Sequence, residues 1–111
     1  MEANAIEIVK EYWKRMQSND FAYAAELFAE GYVLDWPQSN ERIRGRKNFT
    51  AVNEEYPAEG RWEFTVNRIV GDEVTVVTDV SITDGAIQAR AITFFTVKNG
   101  KIVKQVGINN M

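Results

Sequence analysis

The first part of the chain sets apolar residues at helical spacing. Ile6, Val9, Trp13 and Met16 form one stripe, which predicts a helix from about Glu2 to Gln17. Ser18-Asn19-Asp20 offers a cap for a second helix that buries Phe21, Ala24, Ala25 and Phe28, with Gly31 placed for a left-handed cap. Tyr32 to Trp36 then forms a short strand ended by Pro37, and a polar loop runs to Gly45. Phe49, Val52 and Tyr56 mark a third helix, closed before Pro57.

From Arg61 onward the period changes to that of strands, rich in Val, Ile, Thr and Phe. Gly71-Asp72, Asp84-Gly85 and Asn99-Gly100 are evenly spaced turn signals, so four antiparallel strands are expected. If each pair is a two-residue loop, Phe64, Asp79, Arg90 and Asn109 form one row across the sheet. Alternation adds Trp62, Val66, Val77, Ile92, Phe94 and Gln105 to that face. The opposite face then carries Ile69, Val74, Val76, Thr78, Ala91, Thr93, Phe95, Val106 and Ile108. Both faces are apolar in their middles, so helices should cover one and a second copy of the chain the other.

Composition narrows the chemistry. At 111 residues and 45% hydrophobic, the chain suits a single domain over residues 1–111 with a core of its own. A net charge of −3 gives no basic footprint, so nucleic acid is not expected as a partner. There is no cysteine and no histidine, so thiol chemistry and the usual zinc ligands are missing. No metal and no cofactor are expected. No run is long enough for a membrane span and the N-terminus lacks signal-peptide character, which leads to the expectation of a cytoplasmic protein.

The ordered set of elements resembles the nuclear transport factor 2-like superfamily, in particular its SnoaL-like branch. The residues that carry the resemblance are Tyr12-Trp13 before Asn19-Asp20-Phe21, and Leu27-Phe28-Ala29 leading to Leu34-Asp35-Trp36-Pro37. Ile43-Arg44-Gly45-Arg46 before the third helix and Asn99-Gly100-Lys101-Ile102 before the last strand complete it. The resemblance implies an α+β, cone-shaped (cystatin-like) fold, with three N-terminal helices packed in the concave face of a curved, mostly antiparallel sheet. It also implies a small-molecule pocket between helices and sheet. The superfamily spans ketosteroid isomerases, limonene epoxide hydrolase, polyketide cyclases and binding modules, so fold alone does not fix function.

Set against the ketosteroid isomerases, the oxyanion-binding tyrosine falls on Tyr12. The catalytic base falls on Trp36, and the second, acidic oxyanion donor on Ile92. A supporting tyrosine falls on Asn53 and a pocket tryptophan on Asn109. With base and acid replaced, ketosteroid isomerisation is not expected. The same mapping puts Arg90 on the pocket face beside Asp79, either as a ligand contact or as a structural ion pair. The expected catalytic set is therefore Asp79, Arg90 and Tyr12, with Trp36, Asn53, Tyr56, Trp62, Phe64, Ile92 and Asn109 as ligand contacts. The functional expectation is a small-molecule pocket for an apolar or cyclic ligand, with metal-free lyase, isomerase or hydrolase chemistry left open. The alternative is a non-catalytic ligand-binding or dimeric interaction module. A homodimer through the outer sheet face is expected in either case.

Overall fold

The computed structural model describes residues 4–110. Asn4 caps the first helix by accepting the Glu7 N–H at 2.9 Å, so α1 runs Ala5–Gln17. The start expected near Glu2 lies outside the described residues. Asp20 caps a short α2, Phe21–Ala25, by accepting the Tyr23 N–H. The chain then turns directly into β1, Phe28–Trp36. Phe28 is therefore a strand residue, and Gly31 lies inside the strand rather than capping a helix. Its φ of +84° marks the irregular stretch between Phe28 and Val33, a conformation that glycine adopts without strain.

The segment expected as a polar loop contains a further strand, β2, Glu41–Arg44, antiparallel to β1. Its four residues pair only with β1, and only Ile43 is buried, so its hydrophobic pattern is too short to stand out. Helix α3, Gly45–Glu55, stops before Pro57 and leaves Tyr56 exposed just beyond it. The meander follows as β3 (Glu63–Gly71), β4 (Thr75–Thr83), β5 (Gln88–Lys98) and β6 (Lys101–Asn110). The six strands are ordered β2-β1-β6-β5-β4-β3, and β1 runs parallel to β6 while every other pair is antiparallel. The result is an α+β fold, a curved, unclosed sheet with helices against one face.

The hairpins shift the register from the two-residue expectation. Asp84 accepts backbone N–H groups from Ala86 and Ile87, which holds a longer loop, and Thr83 pairs with Gln88 instead of Ala86. Asp72 accepts from Val74 and Thr75 in the same way, so Gly71 pairs with Val76. Lys98 does face Lys101, but a shift between Thr96 and Val97 puts one extra residue into β6. Beyond it Arg90 faces Asn110, and Asn109 faces Ala91. A one-residue slip exchanges the faces of every later side chain.

The helices settle which face is inner. Val76, Thr78 and Val80 of β4 and Ala91, Thr93, Phe95 and Val97 of β5 are buried. The Trp13 indole N–H donates to Thr78 Oγ1 at 3.1 Å, tying α1 to β4. Tyr12, Phe28, Tyr32, Phe49 and Phe95 form the aromatic centre of the core, with Phe28 stacked on Tyr32 at 3.7 Å between ring centroids. The face expected to meet a partner thus holds Val76, Thr78, Ala91 and Thr93 under the helices. The outer face instead carries Val77, Asp79, Arg90, Ile92, Phe94, Val106 and Ile108.

Candidate functional site

A cavity of about 380 Å³ lies between the helices and the inner sheet face. That volume falls within the range of small-molecule sites, about 300–1,000 Å³. The buried residues Tyr12, Phe49, Ala91, Thr93 and Gln105 form its closed end. Trp36, Trp62, Phe64, Val52 and Ile82 form the walls, and the exposed residues Gln38, Glu41, Tyr56, Ile87 and Asn109 form the mouth.

Local structure places each of these. Gln17 Oε1 accepts the Phe64 N–H at 2.7 Å, so the end of α1 fixes the start of β3. Trp36 lies against Gly107 of β6, where an added Cβ would come within 3.2 Å of the indole ring. A side chain at that position would force the indole to shift. Asn109 donates its backbone N–H to Gln38 Oε1 at 2.7 Å, which ties the segment after β1 to the last strand. Asn53 donates its side-chain amide to Phe49 C=O one turn earlier on α3 and keeps its Oδ1 as an acceptor.

The polar groups at the closed end form a chain. The Tyr32 hydroxyl donates to Gln105 Oε1, and Gln105 Nε2–H reaches Tyr12 Oη at 3.5 Å. Tyr12 Oη is an acceptor in that chain, and its own proton has no acceptor among the described residues. Burial raises the Tyr12 pKa, with the Gln105 hydrogen bond pulling the other way. Burial, and then the nearby Tyr12, raise that of Tyr32. Both phenols therefore stay protonated at neutral pH and act as donors rather than bases.

The expected site residues divide by sheet face. Tyr12, Trp36, Asn53, Tyr56, Trp62, Phe64 and Asn109 all line the cavity. Asp79, Arg90 and Ile92 do not, because they sit on the outer face. Asp79 faces Ile92 and Arg90 faces Ser81, so the pair meets diagonally, with Arg90 Nε and Nη2 donating to the Asp79 carboxylate at 2.5 and 2.7 Å. The Arg90 hydrogen bonds hold the Asp79 carboxyl below its ordinary range, which makes it a poor base as well as a distant one. The pair cannot be the catalytic unit of this cavity. The carry-over from the isomerases put the pocket one residue out of step on β5, where Ala91 and Thr93 face inward instead of Arg90 and Ile92.

Gln105, Tyr32, Gly107 and Glu41 were absent from the expected site. Gln105 had a visible signal, a polar amide amid the apolar residues of the last strand. Glu41 shares the alternation of Ile43 on β2, a strand too short to show in the sequence pattern.

Comparisons with known proteins bear on the family and the fold. The profile of the SnoaL-like domain matches residues 9–105. A protein from Kribbella flavida DSM 17836, provisionally assigned as a ketosteroid isomerase, superposes with a TM-score of 0.87 at 26% identity, covering 96% of this chain and 77% of that one. An NTF-2 like protein of unknown function from Burkholderia xenovorans LB400 gives 0.82 at 29% identity, covering 91% and 78%. An epoxide hydrolase of the limonene type from M. tuberculosis gives 0.75 at 20% identity, covering 96% and 82%, a likeness of fold. No curated protein matches the sequence.

Proposed function

Because this chain belongs to the SnoaL-like domain family, we propose that its cavity receives a small apolar ring compound bearing one hydrogen-bond acceptor, which the Tyr12 hydroxyl engages at the closed end. The observation that carries this reading is the Tyr12 proton: buried, held neutral, and without a protein acceptor among the described residues. The aromatic walls supply the apolar contact, and the provisional isomerase assignment of the Kribbella relative suits a ligand with rings and a carbonyl.

Binding is favoured over turnover. A neutral phenol polarises a carbonyl, but proton abstraction also needs a base within hydrogen-bond reach of the substrate carbon. The closed end holds Tyr12, Gln105 and Thr93 and no carboxylate, and the chain has no histidine. A matched titration tests this reading, comparing 2-acetonaphthone with 2-ethylnaphthalene, which lacks the acceptor, by quenching of tryptophan fluorescence. The ketone should bind more tightly by about 2–10-fold, the range expected of one hydrogen bond, and Tyr12→Phe should remove the difference. Equal binding of both compounds to the unaltered protein would overturn the role given to Tyr12.

Assembly is part of the same reading. The outer face leaves Phe94 and Ile108 about 40% exposed beside half-buried Val77, Ile92 and Val106. A continuous apolar stripe of this kind is what a second copy of the chain would cover.

A further inference from the structure

Charge in the cavity lining is one-sided. Among the described residues it includes no lysine or arginine, and Glu41 is its one carboxylate. Glu41 makes no ion pair among the described residues, whereas Asp35, on the opposite face of the neighbouring strand, is held by Arg42 and Lys104. Strand pairing sets Glu41 directly opposite Trp36, so the two side chains share one face at the mouth. The Trp36 indole lies over Gly107, where the lack of a side chain leaves it room. An unpaired carboxylate next to an indole is the arrangement that a cationic amine prefers, through charge pairing and the negative face of the ring.

We infer that the ligand carries a protonated or quaternary amine at its outer end, held between the Glu41 carboxylate and the Trp36 indole. This rests on the pocket reading above and names the class of compound within it. The same lining would disfavour an anionic ligand, since no cation inside answers it. Tyr12 and Glu41 then mark the two ends of the site, one donating to a neutral acceptor and one pairing with a cation.

The test uses a matched pair of probes, phenyltrimethylammonium and its uncharged isostere tert-butylbenzene, titrated against the intact chain and followed by tryptophan fluorescence and NMR. The cation should bind more tightly, by about 3–10-fold for one partly solvated carboxylate and one ring. Glu41→Gln should remove most of that advantage and leave tert-butylbenzene binding unchanged, and Glu41→Lys should reverse the preference. Added salt should weaken binding of the cation alone. If tert-butylbenzene binds and the cation binds no better, the inference fails while the pocket reading stands. If neither probe perturbs Trp36 or Trp62, both fail. If Glu41→Gln weakens both probes equally, Glu41 shapes the mouth without recognising charge, and the inference fails.

Discussion

The side chain of Asn19 bonds to both backbone polar groups of Trp62. Its Nδ2 donates to the Trp62 carbonyl at 2.7 Å and its Oδ1 accepts the Trp62 N–H at 2.9 Å. This closed pair joins the turn between α1 and α2 to the segment that enters β3, so one cavity wall is anchored to the helical layer. Asn19 itself has a φ of +63°, which asparagine tolerates better than most residues. Asn19→Ala loses both bonds and strains the backbone. It should destabilise the chain by about 2–3 kcal/mol in denaturant titration, with Trp62 fluorescence shifting toward that of a solvated indole.

The Asp79–Arg90 pair lies on the outer face, and the Arg90 side chain is about half exposed. Asp79→Asn should therefore leave the affinity of the cavity for 2-acetonaphthone unchanged and lower the stability of the monomer only slightly, the more so at high salt. Binding titration and thermal melts on the same preparation check both outcomes. A loss of affinity without a change in melting would contradict the face assignment.

Asp84 is a buried carboxylate that accepts the backbone N–H groups of Ile87, Glu59 and Ala86, which lower its pKa from the ordinary 3.8 to about 2. The depressed value means that its stabilisation is complete above about pH 4 and disappears as pH falls toward 2. Unfolding free energies measured across that window should show the gap between the unaltered chain and Asp84→Asn narrowing with acid. A gap that stays constant down to pH 2 would show that charge is not what holds this turn.

Phe94 stands 40% exposed in the middle of the outer stripe. Phe94→Asp should convert a dimer to monomer in sedimentation velocity at micromolar concentration without lowering the melting temperature of the monomer. Unaltered protein that sediments as a monomer at that concentration would rule out a dimer through this face.

The elements that the sequence displayed well were those with long periodic stripes or strong turn residues. Helix α1 and the four meander strands are where the spacing of Ile6, Val9 and Trp13 and the turns at Asp84-Gly85 and Asn99-Gly100 put them. The two faces of the sheet were not legible, because each is apolar and alternation alone does not say which one the helices take. The deciding features were side-chain bonds inside turns and an extra residue near Val103 in β6. Neither leaves a mark in hydrophobic patterning. Cavity residues on helices and strand ends, such as Tyr12, Trp36 and Asn53, could be found by resemblance. The outward turn of Asp79 and Arg90 could not.

If Tyr12 donates to a ligand acceptor at the closed end of the cavity, a bound ketone must point its oxygen there. A crystal structure of the chain with 2-acetonaphthone tests it most directly. The ketone oxygen should lie at about 2.7 Å from Tyr12 Oη, with the rings between Trp36, Trp62 and Phe64. A ketone oxygen turned toward the mouth, or a ligand seated on the outer face beside Arg90, would contradict it.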